Sequence, residues 1–152
     1  VKELNASAAG TAEAPIEECF ELLSDFERYP EWLPDAVRAA QVLERDPSSG
    51  RVVKIKTTLH ASQGPIQRDF KLHMAVTLSR PELIELRRLP KEPTDREEML
   101  VRWRLAGGAS DGTRLAAELT ARLDIPAFLP VGGLAQSMAD RFLAAALRQL
   151  AG

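Results

Sequence analysis

Residues Ala14–Asp35 read APIEECFELLSDFERYPEWLPD. Aromatic residues make up only 5% of the 152-residue chain. Yet Ser24–Pro34 holds its only tyrosine, one of its two tryptophans and one of its five phenylalanines. Pro15 followed by Glu17 and Glu18 is a helix start, with proline at the first helical position and acids in the first turn. Ile16, Cys19, Phe20 and Leu23 then recur at helical spacing and form one apolar stripe, which stops near Ser24. Ser24-Asp-Phe-Glu27 matches a capping box, so a second, very short helix is expected there. Pro30 and Pro34 turn Tyr29 and Leu33 away from helical backbone, so this helix cannot continue. Two short helices in a bent arrangement result.

On either side of this stretch the period changes from helical to two. Residues 2–10 read as a first strand and 36–45 as a second, closed by the turn Asp46–Gly50. Val53, Ile55, Thr57 and Leu59 alternate with polar residues, as do Phe70, Leu72, Met74 and Val76, then Ile84 and Leu86. The turns Ser62–Pro65 and Arg80–Glu82 separate them, and 89–95 is a polar loop. Met99, Val101, Trp103 and Leu105 form the next strand, Gly107–Gly112 a hairpin turn, and Leu115 to Leu123 the last strand. Ile125–Pro130 is an irregular approach to Gly132-Gly133, where glycine eases the turn into a long helix ending near Leu150. Ala135, Met138, Phe142, Ala146 and Leu150 make that helix's apolar stripe, with Ser137, Arg141 and Arg148 opposite. The fold class is α+β: seven strands in an antiparallel meander, two short helices after the first strand, and one long C-terminal helix.

Seven strands at about 4.8 Å spacing span roughly 34 Å. One helix with its side chains is about 10–12 Å across. The sheet must therefore curl around the helix, and the space between them is either packed by large side chains or left open. Three alanines on the helix's inner side, Ala135, Ala139 and Ala146, favour an apolar cavity over a solid core of leucine and valine.

Composition narrows the function. The length suits a single domain over 1–152, and a net charge of −2 offers no nucleic-acid footprint. No apolar run is long enough to span a membrane as a helix, and peripheral contact stays open. One cysteine precludes an internal disulfide and fits a cytoplasmic setting. The chain opens on Val1 rather than methionine, so residues before it are expected; Val1–Asn5 is not a basic-then-apolar leader. No metal site is expected: His60 and His73 lie on the outward phase, and there is no paired His spacing or CxxC. No cofactor motif appears, and Cys19 reads as inert core.

The segments 14–35, SDGTRL (110–115) and IPAFLPVGGLAQSMADRFLAAALRQL (125–150) resemble the START/Bet v 1-like (SRPBCC) superfamily. The closer likeness is to its polyketide cyclase/dehydrase and coenzyme-Q-binding-like branch. The resemblance runs through nearly the whole chain and implies a helix-grip fold, with a hydrophobic cavity between a curved sheet and the last helix. It places the short helices at one end of the cavity, where Tyr29, Trp32 and Leu33 either line it or pack the helix pair onto the sheet edge; Phe26 reads as packing.

The remaining expected ligand contacts are inward-phase residues. They are Ile55 and Thr57; Phe70, Leu72 and Met74; Ile84 and Leu86; Met99, Val101 and Trp103; and Leu134, Met138 and Phe142 from the last helix. Three functions follow. The first is a non-catalytic binder of a small hydrophobic molecule: a lipid, an isoprenoid quinone or a polyketide-like aromatic. The second is a polyketide aromatase/cyclase, for which Tyr29, Arg68 and Thr57 are the candidate polar groups. The third is a chaperone-like protein partner in a quinone pathway, with Ala36, Ala39 and Ala40 as a flat surface. Arg68 and Arg88 share the inward phase but sit at strand ends, where both are expected to reach water.

Overall fold

A computed structural model describes residues 2–108, 112–125, 131 and 133–151. The expected approach over 126–130, Gly132 and the hairpin centre 109–111 lie outside the described residues. The strands are β1 (Lys2–Ala12), β2 (Val37–Arg45), β3 (Val52–Gln63), β4 (Ile66–Ser79), β5 (Leu83–Arg88), β6 (Glu98–Gly107) and β7 (Thr113–Leu123). The helices are α1 (Ile16–Ser24), α2 (Tyr29–Trp32) and α3 (Leu134–Ala151), with a 3-10 turn at Phe26–Arg28.

The strands form one antiparallel sheet in the order β1-β7-β6-β5-β4-β3-β2. Strands β2 to β7 are thus a simple meander, and β1 adds to its far edge. The alternation read from sequence appears as alternating burial: along β7, Thr113, Leu115, Ala117, Leu119, Ala121 and Leu123 are buried. Helix α3 packs chiefly on β1 and β7 and also touches β3. On a flat sheet β7 and β3 would lie about 19 Å apart, wider than a helix, so contact with both requires the expected curl. Gly133 adopts φ +89°, the left-handed backbone that glycine permits, just before α3. Gly10 lets α3 approach β1 closely: a Cβ there would meet the Leu147 side chain at 3.0 Å.

Four local expectations are corrected. Pro15 occupies the N-cap of α1 rather than its first helical residue. The capping box does not form. Ser24 Oγ donates to the Phe20 carbonyl at 2.7 Å, and Glu27 accepts from the Val42 backbone N–H at 3.0 Å, tying the 3-10 turn to β2. Tyr29 is helical although it precedes proline, because Pro30 falls in the first turn of α2, where a missing N–H costs nothing. In β3 it is Val52 that is buried and not Val53: the β2–β3 ladder skips Val53, which reverses the phase at the start of the strand.

Candidate functional site

The 3-10 turn and α2 hold three aromatic rings in a row. Phe26 and Tyr29 stack with centroids 6.0 Å apart, and Tyr29 and Trp32 tilt against each other at 4.7 Å. All three are buried. The Tyr29 hydroxyl donates to the Leu23 carbonyl at 2.6 Å, which fastens α2 beneath α1. Burial pushes the phenol well above its ordinary range; the nearby Trp103 indole opposes this and Asp25 reinforces it.

Phe26 and Tyr29 face a cavity enclosed also by Val37, Ala40, Ile55, Thr57, Leu59, Met74, Leu86, Val101, Trp103 and Phe142. Its volume is about 30 Å³, room for about one water molecule. A drug-sized pocket is roughly 300–1,000 Å³. The wide open interior inferred from sheet and helix widths is therefore corrected. The rings of Phe26, Tyr29, Trp103 and Phe142 occupy much of the space that a curled sheet and one helix leave between them. The chamber is apolar, and its hydroxyls are already bonded: Thr57 Oγ1 donates to the Ala39 carbonyl at 3.0 Å, as Tyr29 does to Leu23. Trp103 is the exception. It is fully buried, and its Nε1 lies near the Tyr29 hydroxyl without reaching any partner at hydrogen-bond distance.

Eight expected contacts lie in the cavity wall: Tyr29, Ile55, Thr57, Met74, Leu86, Val101, Trp103 and Phe142. Phe70, Leu72, Ile84, Met99, Leu134 and Met138 are buried in the core and do not form part of this wall. Trp32 and Leu33 line a separate outer groove. Phe26, Val37, Ala40 and Leu59 line the cavity without having been singled out as contacts. Leu59 shares the phase of Ile55 and Thr57, which was a usable signal. Val37 and Ala40 lie three positions apart, an odd offset, so simple alternation could not have paired them. The ladder slips between Val37 and Ala39 and permits both to face inward.

The other polar candidates are committed elsewhere. Arg68 forms a two-point pair with Glu97, at 3.0 and 3.1 Å, and lies over the Phe70 ring. Arg88 does not reach water as expected. It is buried, donating to the Glu97 carbonyl and to Asp95, each at 2.7 Å. The Arg88 hydrogen bond, with backbone N–H donors from Lys91 and Glu97, holds the Asp95 carboxyl well below the usual range. This network pins the loop before β6. His73 is exposed, whereas His60 is half-buried and pairs with Asp69 at 2.6 Å. Cys19 is fully buried, and desolvation raises its thiol pKa. Among the described residues no cluster of His, Cys, Asp or Glu could hold a metal ion. No described helix is long and apolar enough to cross a membrane.

The family described as polyketide cyclase / dehydrase and lipid transport matches residues 12–151. The chain belongs to this family. Its fold is the helix-grip arrangement, a curved seven-stranded antiparallel sheet against one long C-terminal helix. A START superfamily protein from Mycobacterium smegmatis superposes with a TM-score of 0.80 at 21% identity, covering 96% of each chain. The Zhui aromatase/cyclase from a Streptomyces species gives 0.58 at 19% identity, over 97% of this chain and 86% of that one. The di-domain ARO/CYC protein BexL, from the BE-7585A biosynthetic pathway, gives 0.70 at 17% identity. The match covers 99% of this chain and 50% of BexL. No curated protein matches by sequence. At these identities the solved structures establish the family's shape rather than its chemistry here.

Proposed function

We propose that this polyketide cyclase/lipid transport family member binds a small hydrophobic molecule, a lipid, isoprenoid quinone or polyketide-like aromatic, without transforming it. One observation carries the reading: an apolar chamber between sheet and helix whose one unpartnered donor is the Trp103 indole N–H. A buried donor without a partner costs free energy, and a ligand carbonyl or hydroxyl reaching Nε1 would remove that cost.

The small volume means that occupancy requires the wall to part. Strand β2 is the element suited to this. It is an edge strand, its ladder with β3 slips at three places, and it supplies Val37 and Ala40 to the wall. A pocket of this kind is a minor conformation that the ligand makes dominant.

The aromatase/cyclase reading has less support. It needs polar groups free to meet an enolate or deliver a proton. Tyr29, Thr57 and Arg68 are each hydrogen-bonded within the protein, and Arg68 is absent from the cavity wall. The partner-protein reading also weakens, because Ala36 is buried and Ala40 faces the cavity.

The test is mass spectrometry of the native protein and of its organic extract, followed by fluorescent-probe displacement with the extracted compound. A stoichiometric apolar ligand that displaces the probe is the expected result. A protein that carries nothing and takes up no apolar probe overturns the proposal.

A further inference from the structure

Trp32 lines a groove of about 470 Å³ that is distinct from the cavity. Arg38 of β2, His60 of β3, and Arg141, Ala144 and Arg148 of α3 form its walls with Trp32. Arg141 and Arg148 are seven residues apart, two helical turns, so their side chains leave the same face about 10 Å from each other. Ala144 lies between them and leaves the floor open. Arg38 is the residue that the β2–β3 ladder skips between Val37 and Ala39, and such a bulge redirects a side chain.

Among the described residues, none of the three arginines forms an ion pair. This contrasts with Arg68, Arg80, Arg88, Arg102, Arg104 and Arg122, all of which are paired. Asp35 is the one carboxylate in the wall, and His60 Nδ1 is engaged by Asp69 at 2.6 Å. A chain of net charge −2 thus gathers an excess of positive charge in one concave place.

A second observation points to a ligand. Trp32 is only 8% exposed, and its Nε1 is buried without a partner. Its ring also contacts Tyr29, which lines the cavity, so this aromatic pair connects the walls of the two spaces.

We infer that the groove receives the anionic end, a carboxylate or phosphate, of an amphipathic ligand whose apolar part enters the cavity past the Tyr29–Trp32 pair. The inference rests on the hydrophobic-ligand reading above and adds a head group to it. Guanidinium groups match planar carboxylate and tetrahedral phosphate oxygens by paired N–H donors. The Trp32 N–H adds a neutral donor at that pair.

The probes are cis-parinaric acid and its methyl ester, which share one apolar tail and differ in the charged end. The acid is expected to bind about tenfold more tightly than the ester, with the difference shrinking as salt is added. The triple variant Arg38→Gln, Arg141→Gln, Arg148→Gln is expected to bind the two alike. If the ester binds and the acid binds no better, the groove assignment is overturned while the cavity reading stands. If neither binds, both fall.

Competition by dodecanoate and by dodecyl phosphate then distinguishes carboxylate from phosphate, and displacement by either supports the assignment. Displacement by inorganic phosphate at the same concentration as dodecyl phosphate would show a free-anion site and overturn the amphipathic ligand.

Discussion

Tyr29 and Leu23 are joined by a 2.6 Å hydrogen bond from the phenol to the backbone carbonyl, buried between α1 and α2. The Leu23 carbonyl lies near the C-terminal end of α1, where the helix has no amide of its own to offer. Tyr29→Phe leaves that oxygen without this donor, and a destabilisation of about 1–3 kcal/mol is expected in denaturant unfolding. Because Tyr29 is the only tyrosine, alkaline titration can be followed cleanly in the ultraviolet. Its folded pKa is raised, so its contribution to stability is present below the unfolded value, near 10, and is lost as pH climbs above it. No phenolate should appear before unfolding begins. A phenolate band rising near pH ~10 in the folded protein contradicts this burial.

Asp95 should show the opposite dependence. Its folded pKa is depressed by the Arg88 hydrogen bond and by two backbone donors. The stabilisation is therefore complete above the unfolded carboxyl value of about 4 and disappears as pH falls toward the lower folded value. Asp95→Asn is expected to be less stable than the parent at neutral pH, with the gap narrowing as acid is added. A gap that stays constant with pH rules out this ionic contribution.

Thr57→Val is nearly the same size but cannot donate to Ala39. It should cost about 1 kcal/mol in unfolding and faster hydrogen exchange at the start of β2. A ligand contact at Thr57 would add a loss of probe affinity. Affinity unchanged in a folded variant would restrict the hydroxyl to holding the edge strand.

Gly10→Val tests how closely α3 sits on β1. Even a bare Cβ reaches the Leu147 side chain at 3.0 Å, and the branched side chain goes further. A loss of about 1–3 kcal/mol is expected, visible as a lower midpoint of thermal unfolding. A midpoint equal to the parent's would mean that the helix can shift outward freely.

The sheet was legible because each strand from β4 to β7 alternates without interruption, so a period of two gives both its extent and its buried face. The long helix was legible for the same reason at its own period. The reading failed where the backbone breaks its period. Skipped residues on β2 and β3 change which side chains face in, and nothing in Val52-Val53 announces this. The Ser24–Glu27 motif was matched correctly as a pattern, but Ser24 found a closer acceptor in Phe20 and Glu27 a donor on β2. The groove escaped notice because Arg38 is far in sequence from Arg141 and Arg148 and is redirected by a bulge. Arg88 escaped too, since only the loop carrying Asp95 and Glu97 gives it partners.

The pairing of β1 with β7 sets the order in which this protein can be completed. Lys2 lies opposite Leu123, so β1 has no partner in this sheet until almost the whole meander that follows it has left the ribosome. Closing so long a loop is slow, and until then β7 presents an unsatisfied edge and α3 has lost its main bed. A chain cut short before β7 should therefore be a substrate for chaperones and aggregation rather than a smaller version of the same protein.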